Sequence, residues 1–351
     1  MTRLRAILQR MASTRVFRRA GRRTNAALLM LVLGAFASGW FAFAAGTPVP
    51  ATLATVAHGL FGLGVVALLP WKSVIARRAS RIPWAAWALT ALLLACLVAG
   101  FVQFFGGYTA FSRLGALAPL SPIQLHVGAA LVAVPLFGWH VLRRRPQRLR
   151  GSDLSRRNLL RAGALTVGVV AAYPLGAALA RVTRGAVGRV STGSGRLAAH
   201  DIPATIWLFD RVPAIDPAAH RVEVAGRPVS VAELERAATP VLARLDCTSG
   251  WYAVATWTGT RLSELLSPEL LPEATSIEVT SVTGYTRRFG AAEASSLWLA
   301  TRCEGRRLSP GTGSPVRLVV PHRRGFWWVK WVGSVRVSPD PAWLQPPFPP
   351  Q

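Results

Sequence analysis

Acidic residues are missing from the first 152 residues of this 351-residue chain, and 14 of its 15 Asp and Glu residues lie at Asp201 or later. Of the 41 Lys and Arg residues, 21 precede residue 181. The first part therefore carries a net charge of +20, and the remainder carries +6. Because the basic residues of the first part cluster between long apolar runs, they indicate a membrane protein and argue against a nucleic-acid ligand.

Cysteine is equally scarce. The chain has three cysteines and contains neither a Cys-x-x-Cys pair nor a Cys/His cluster. These absences argue against a structural zinc site and against an iron–sulfur cluster, which need several ligands of these types. A metal held by a single protein sulfur would need most of its other ligands from a cofactor.

Long uncharged runs dominate the first part, at residues 25–46, 51–71, 83–105 and 120–142, and a fifth apolar run covers 162–180. Each is close to the roughly 20 residues that cross about 30 Å of hydrocarbon. None has a polar face of the usual width, which excludes ordinary helices of a soluble core. Basic loops alternate with nearly uncharged ones, so the positive-inside rule predicts a cytoplasmic N-terminus. Everything after about residue 183 then lies outside a bacterial cytoplasmic membrane.

The basic segment before the fifth run resembles a twin-arginine export signal: Ser155-Arg156-Arg157-Asn158-Leu159-Leu160-Arg161. The alternative is an ordinary basic flank, in which paired arginines are common. The distinction matters because the twin-arginine route exports folded proteins, usually with a cofactor already inserted. The fifth helix could be cleaved after Ala180, although retention as an anchor makes more sense of the fused architecture.

The pattern changes at about residue 204 to short β-prone runs separated by Pro and Gly. Strands are predicted at 221–224, 276–280, 316–320 and 327–337, and helices at 231–237 and 262–266. These elements indicate an α+β domain that is large enough to bury its own core. The predicted organisation is a basic cytoplasmic arm (1–24), a four-helix transmembrane domain (25–145), the twin-arginine-like segment with a fifth transmembrane helix (146–182), a linker (183–203), the α+β domain (204–340) and a Pro-rich tail (341–351).

Three of the six histidines lie in the apolar runs. His58 and His126 are near the predicted outer ends of the second and fourth runs, so they could ligate a haem iron from both sides. Interhelical hydrogen bonds are the alternative, although polar groups in a membrane are costly and tend to be functional. His140 shares nearly one helix face with His126, a spacing similar to that of b-type cytochromes with two haems. The matching position on the second helix is Lys72, so an inner haem lacks an obvious second ligand.

Cys247 lies in the second part, and three roles are open to it from sequence alone. It could form a disulfide with Cys303 of the same domain. It could be a buried structural thiol, which is the usual state of a free cysteine. It could also be a soft thiolate ligand of a metal.

The residues around Cys247 resemble the cysteine segment of sulfite-oxidase-type molybdopterin domains, most closely that of periplasmic methionine-sulfoxide reductase catalytic subunits. The block consists of Cys247, Trp251, Trp257-Thr258-Gly259, Leu262 and Leu265-Leu266. A second block resembles the family's G-x-P-x-R-L-V-x-P run and the G-x-x-x-x-K that follows it. It consists of Gly313-Ser314-Pro315-Val316-Arg317-Leu318-Val319-Val320-Pro321, Gly325-Phe326 and Val329-Lys330. The resemblance covers about residues 200–338, and the membrane part lies outside it.

The resemblance implies a site for a molybdenum–molybdopterin cofactor. Cys247 would be the thiolate on molybdenum, and Arg317 and Lys330, with the backbone near Trp328 and Val329, would hold the pterin and its phosphate. A planar guanidinium suits phosphate recognition, and a nearby ammonium adds charge. Looser correspondences suggest further cofactor contacts at Thr283 or its neighbour Ser281, Thr312, Phe209, Asp210 and Arg211.

Two departures from the family pattern put the substrate in question. Thr312 stands where an Asn commonly precedes the Gly-x-Pro run, and His322-Arg323-Arg324 replaces a Trp-Lys-Tyr. Arg323 and Arg324 could bind an anionic substrate or be solvated, and solvation is the expectation.

The sequence as a whole predicts a membrane-anchored molybdenum oxidoreductase that acts outside the cytoplasmic membrane. It would transfer an oxygen atom to or from a small-molecule substrate. Electrons would pass through the bundle, by way of a haem b, to or from the quinone pool or a redox partner. Lipid is an expected partner and nucleic acid is not. Two alternatives stay open: a non-catalytic tethered domain with a Cys247–Cys303 disulfide, and a haem-only electron carrier.

Overall fold

The computed structural model describes residues 21–78, 83–111, 120–144, 151–183, 192–206, 210–267, 269 and 274–346. They form two compact units, one of long helices and one of strands with short helices. The predicted order of an all-α bundle followed by an α+β domain is confirmed. The exact domain boundaries stay a prediction.

Five helices of the first unit are long and apolar enough to cross a membrane. They are α1 (Arg22–Ala44), α2 (Pro48–Arg77), α3 (Trp84–Gly106), α4 (Pro122–Arg144) and α5 (Arg156–Thr183). Where a run borders basic residues the helix continues into them: α1 starts at Arg22, α2 ends at Arg77, α4 ends at Arg144 and α5 starts at Arg156. The paired Arg156 and Arg157 therefore lie in the first turn of α5.

Small residues allow close packing between these helices. A Cβ atom placed on Gly34 of α1 would lie 2.7 Å from the Phe61 ring of α2. One on Gly59 of α2 would lie 2.4 Å from the Tyr173 ring of α5. Glycine at these crossings lets the backbones approach, as is usual between helices in membranes.

The second unit is built on two sheets. Its strands are β1 (Gly195–Arg196), β2 (Arg221–Val224), β3 (Arg227–Ser230), β4 (Thr239–Cys247), β5 (Trp251–Arg261), β6 (Ser276–Ser281), β7 (Thr286–Gly290), β8 (Trp298–Cys303), β9 (Arg306–Arg307), β10 (Arg317–Val319) and β11 (Val332–Ser338). Short helices α6 (Val231–Arg236) and α7 (Leu262–Leu265) connect some of them.

The first sheet has the order β1-β5-β8-β10, with β4 paired to β5 and β9 to β8, and the second has the order β3-β2-β11-β6-β7. The antiparallel β4–β5 hairpin runs from the Thr239–Gly259 pair to the Cys247–Trp251 pair. On the other side of β5, Trp257 pairs with Cys303 of β8, and β8 in turn pairs Ala300 with Arg317 of β10. This sheet therefore carries both sequence blocks that resemble the molybdopterin family.

Most predicted elements of this unit agree with the structure to within two residues, but the strand predicted at 327–337 is wrong in its first half. A 3-10 helix covers Gly325–Trp327, and the strand begins only at Val332. The intervening indole groups are tied into loops, because Trp328 Nε1 donates to the Arg323 carbonyl and Trp331 Nε1 to the Pro310 carbonyl. The tryptophans of this run therefore pack into the core although their backbone is not in a strand.

Candidate cofactor sites

Cys247 ends strand β4 at a tight turn in the hairpin. The Gly250 amide donates to the Cys247 carbonyl at 3.1 Å, and Gly250 has a φ of +88°, which favours glycine. The Ser249 amide lies 3.5 Å from Cys247 Sγ. The residue is only 8% exposed. The turn therefore holds a single thiol at the end of the sheet, in a largely dry position.

Arg317 of β10 is a deeply buried cation. It is 3% exposed, and its Nη1 donates to the Thr312 carbonyl at 2.8 Å. The guanidinium lies 5.4 Å from the Trp257 ring centroid and 5.6 Å from that of Trp328. Within the described residues its Nε has no hydrogen-bond partner and no carboxylate lies within 4.0 Å of it. Burial lowers the pKa of Arg317 to about 10, against the opposing influence of Cys247 and Cys303.

Lys330 is a second cation of the same site. Its Nζ donates to the carbonyls of Thr205 at 2.7 Å and Gly311 at 2.6 Å. Burial lowers the pKa of Lys330 to about 7, Arg317 acts in the same direction, and Cys247 and Asp210 oppose both. Cys247 opposes the lowering of the pKa of both Arg317 and Lys330, and Arg317 and Lys330 both pack against Gly313. We therefore treat Cys247, Arg317 and Lys330 as one cluster.

Gly313 packs closely against the aliphatic parts of both cationic side chains. It has a φ of +112°, and a Cβ atom there would lie 3.2 Å from the Cβ atoms of both Arg317 and Lys330. The loop before β10 can thus approach the cations closely. Uncompensated buried cations are costly, so a site of this kind favours an anionic ligand.

The weaker predicted contacts fall partly at this cluster. Thr283 Oγ1 donates to Asp210 Oδ2 at 3.1 Å and lies 3.0 Å from Ser281 Oγ. Asp210 influences both Lys330 and Tyr285, which places it beside the cluster. Thr312 contributes its carbonyl to Arg317, whereas its hydroxyl donates to the Ser309 carbonyl at 3.0 Å. Phe209 lies outside the described residues, and Arg211 is exposed.

Trp328 and Val329 support the cluster in different ways. The Trp328 ring stacks on Arg317 and is 5.4 Å from the Trp257 ring in an edge-to-face arrangement. The Val329 carbonyl accepts from the Leu318 amide at 2.8 Å, which ties the segment before Lys330 to β10.

The expectation that Arg323 and Arg324 are solvated is wrong for Arg324 and holds only in part for Arg323. Arg323 is partly buried and pairs with Glu293 at 2.9 Å. Arg324 is 5% exposed, and its Nε lies 3.9 Å from Asp246 Oδ2. Asp246, directly before the cysteine, is the functional candidate that sequence reasoning missed. An acid in the apolar run before Cys247 was the signal that could have found it.

The alternative of a Cys247–Cys303 disulfide does not hold, since both thiols are free. Cys247 pairs with Trp251 and Cys303 with Trp257, on opposite sides of β5. Six residues of strand separate these positions by about 20 Å. A disulfide needs Cα atoms within about 7 Å. Strand register therefore keeps the two cysteines apart.

The cluster fits a molybdopterin cofactor by its donor chemistry. It offers one soft sulfur ligand together with two buried cations, and the Nε atom of one of them, Arg317, has no hydrogen-bond partner in the part of the chain that the structure describes. Comparison with known proteins gives the same assignment. Residues 209–343 match the family model of the oxidoreductase molybdopterin binding domain. This match confirms the predicted molybdopterin oxidoreductase domain.

Individual relatives are distant. The chain is 32% identical to the protein-methionine-sulfoxide reductase catalytic subunit MsrP of Xanthomonas axonopodis pv. citri (strain 306), over 29% of this chain and 39% of that protein. It is 21% identical to the sulfane dehydrogenase SoxCD from Paracoccus pantotrophus, over 37% of this chain and 40% of that one, with a TM-score of 0.33. The matched region therefore spans well under half the length of these relatives.

In the helical unit, the two predicted haem ligands meet. The His58 and His126 ring centroids are 5.5 Å apart, and the ring planes are nearly perpendicular at 88°. His58 Nδ1 lies 2.7 Å from the Ala35 carbonyl oxygen, and His126 Nδ1 lies 2.7 Å from that of Cys96. A carbonyl can only accept, so each Nδ1 carries a proton, and the neutral form of a ring with that proton has its lone pair on Nε2, where a metal could bind.

Lys330 makes the folding of the cofactor-free domain depend on pH. Its pKa is about 7 in the folded chain and about 10.4 when unfolded. Between these values the unfolded chain binds more protons, so the contribution of Lys330 to stability rises with pH from about 7 to about 10. Below pH 7 the ammonium is charged in both states, and its burial penalty is fully present.

An anion beside Lys330 stabilises the ammonium, so we expect cofactor-free protein to bind inorganic sulfate more weakly as pH rises. Between about pH 6.5 and 8.5 the affinity should fall roughly tenfold as a group with a pKa near 7 loses its proton. The chain has two lysines, Lys72 and Lys330, so NMR of lysine labelled with ¹³C can follow each one. Lys330→Met identifies its resonance. Titration of that resonance only above pH 9 would contradict the assignment.

Proposed function

We propose that this chain is a membrane-anchored molybdenum-cofactor oxidoreductase that transfers an oxygen atom outside the cytoplasmic membrane. The main observation that supports this proposal is the cluster of Cys247, Arg317 and Lys330, which combines a soft metal ligand with two buried cations. Its place inside the matched molybdopterin domain supports the same conclusion.

Each residue of the cluster has a distinct proposed task. Cys247 holds the molybdenum, and Arg317 and Lys330 hold the pterin and its phosphate. The bound cofactor supplies the two-electron chemistry of oxygen-atom transfer. Trp257 and Trp328 are both buried and cover the Arg317 guanidinium, so water is excluded from the charge-assisted contacts that Arg317 makes.

The orientation rests on the charges around the helices. The flanks of α1 and α5 at their N-terminal ends are basic, as expected of a cytoplasmic side. Arg22 at the start of α1 pairs with Asp153 at 2.6 Å, just before α5. The two helix starts therefore lie on the same side of the bundle. This agrees with the four crossings, α1 to α4, that separate them in the chain. We place the molybdopterin domain outside and assign Arg156-Arg157 to a twin-arginine signal with α5 retained.

A haem b between His58 and His126 is the proposed route for electrons. Main-chain carbonyls fix both rings in the tautomer that leaves Nε2 available, which is the usual arrangement of a metal-binding histidine. Gly39 and Gly100 face these rings, since a Cβ atom would lie 2.9 Å from the His58 ring and 3.0 Å from the His126 ring. The quinone pool or a soluble redox protein would exchange electrons with this haem.

We expect the purified protein to show a Soret band that shifts on reduction with dithionite. His58→Ala and His126→Ala should each either lose the haem or replace the six-coordinate low-spin spectrum with a five-coordinate high-spin one, because six-coordinate iron needs both imidazoles. His140→Ala is the matched control on the same helix as His126 and should retain the six-coordinate spectrum. A featureless Soret region in the wild type would remove haem from the proposal.

Sulfoxides are the first substrates to test, because the MsrP relative is a protein-methionine-sulfoxide reductase. Full-length protein in detergent should oxidise reduced benzyl viologen when methionine sulfoxide is added, or reduce ferricyanide when sulfite is added. Protein from cells grown on tungstate in place of molybdate should do neither. The proposed function fails if molybdenum-loaded protein transfers oxygen in neither direction. A haem signal without molybdenum would instead favour the haem-only carrier.

A further inference from the structure

Asp246, the residue before Cys247, forms a buried ion pair with Arg324. Asp246 is 4% exposed and Arg324 is 5% exposed. Arg324 Nε lies 3.9 Å from Asp246 Oδ2. A buried ion pair is seldom a net source of stability, because desolvation of both charges offsets their attraction. Its position next to the candidate metal ligand therefore calls for a functional explanation.

The Asp246 carboxylate is fixed on both of its oxygens. Thr192 Oγ1 donates to Oδ2 at 2.7 Å, and Ser194 Oγ donates to Oδ1 at 2.6 Å. The same stretch of chain also binds the turn after Cys247, where the Gly195 amide donates to the Gly250 carbonyl at 3.0 Å. The carboxylate and the cysteine turn are thus held by one short segment.

Arg324 is fixed by close packing of its neighbour. A Cβ atom on Gly325 would lie 3.3 Å from the Asp246 carbonyl oxygen and 3.4 Å from Cys247 Cα. Burial lowers the pKa of Arg324, while Asp246 and Cys247 act in the opposite direction. The guanidinium of Arg324 therefore interacts electrostatically with both the Asp246 carboxylate and the Cys247 thiol. A change of charge at the Cys247 sulfur would alter that interaction.

We propose that Asp246 and Arg324 are a positioning pair that sets the reduction potential of the metal held by Cys247. The inference rests on the proposed function, since it assumes a metal on that sulfur. Outer partners of a ligand tune a metal through orientation and local charge. The fields of the two opposite charges partly cancel while both are present, so the loss of either one changes the field at a nearby redox centre, and in a dry site little solvent screens that change.

The two halves of the pair make opposite predictions. Asp246→Asn leaves a nearly isosteric side chain but removes negative charge, so the electron-rich reduced metal is favoured and the potential rises. Arg324→Gln removes positive charge, so the potential falls. We expect each change to alter the ratio of reduced to oxidised metal at least tenfold, or about 59 mV for a one-electron couple. A redox titration of full-length protein, followed by the Mo(V) paramagnetic signal, measures both shifts.

The Arg323–Glu293 ion pair provides a matched control. It is one residue away along the chain, is partly exposed and pairs at 2.9 Å. Arg323→Gln and Glu293→Gln should leave the potential unchanged. Arg324→Lys keeps the charge and should stay near the wild-type value, which separates charge from packing.

Molybdenum content, measured on every variant before titration, separates this inference from the proposed function. Wild-type protein without molybdenum overturns the proposed function itself. Metal-loaded Asp246→Asn and Arg324→Gln with unshifted potentials, or with shifts of the same sign, overturn the positioning pair. If Asp246→Asn loads no metal, the two Arg324 variants test the inference instead. Equal reduction potentials for Arg324→Gln and Arg324→Lys would contradict it.

Discussion

Replacing Cys247 with serine is expected to abolish molybdenum-linked turnover while leaving part of the pterin binding intact. A hydroxyl is a harder and weaker ligand than a thiolate, so the metal loses its one protein sulfur. The loss of turnover should exceed the roughly 10–100-fold typical of removing an outer partner. Arg317 and Lys330 are unchanged in this variant, so the pterin keeps its proposed phosphate contacts.

Cys303→Ser is the matched control for that result. Cys303 belongs to the same sheet and is a free thiol, but it pairs with Trp257, far along β5 from Cys247. Turnover in this variant should stay at the wild-type level. Turnover in Cys247→Ser that equals the wild type would exclude Cys247 as the metal ligand.

Arg317→Met is expected to move stability and cofactor binding in opposite directions. In cofactor-free protein the guanidinium is buried without a carboxylate among the described residues, so an apolar side chain of similar volume relieves a desolvation penalty. We expect Tm to rise by a few degrees, because about 1 kcal/mol corresponds to about 2–4 °C in a domain of this size. Pterin retention should fall about 10- to 100-fold, since a charge-assisted hydrogen bond contributes about 1.5–3 kcal/mol.

The control for Arg317→Met is Arg302→Met on strand β8. Arg302 is partly exposed and pairs with Glu235 at 3.5 Å, so its charge is solvated and compensated. Differential scanning calorimetry and fluorescence of the extracted pterin should show neither a gain in Tm nor a loss of cofactor. An Arg317→Met protein that keeps its full pterin content would contradict the role of Arg317 in anion binding.

The helical part of the fold was predictable because its signal is local. Length without charge is enough to identify a helix that can cross a membrane, and all five runs became helices. The strand at 221–224 was equally plain, as a short alternating run before a turn. The 327–337 run failed for a reason that lies elsewhere in the chain. Its tryptophans are placed by acceptors at Arg323 and Pro310, and apolar composition cannot show such partners.

The candidate site was predictable only where two blocks of sequence matched a family. Cys247 and Arg317 lie far apart in the chain and belong to one sheet through β4, β5, β8 and β10, and the Leu318–Val329 hydrogen bond ties the segment of Lys330 to β10. The pairing of these strands cannot be predicted from composition alone. Arg324 was expected to be solvated, whereas its burial depends on Asp246 and on close packing at Gly325. Polar groups that are buried by tertiary contacts are the residues that sequence patterns miss.

Metal and pterin analysis of the purified full-length protein tests the central claim most directly. The protein should be produced with molybdate available and analysed by mass spectrometry for metal and by fluorescence for oxidised pterin. We predict one molybdenum and one molybdopterin per chain in the wild type and in Cys303→Ser, with molybdenum lost from Cys247→Ser. Wild-type protein that contains neither molybdenum nor pterin would contradict the account.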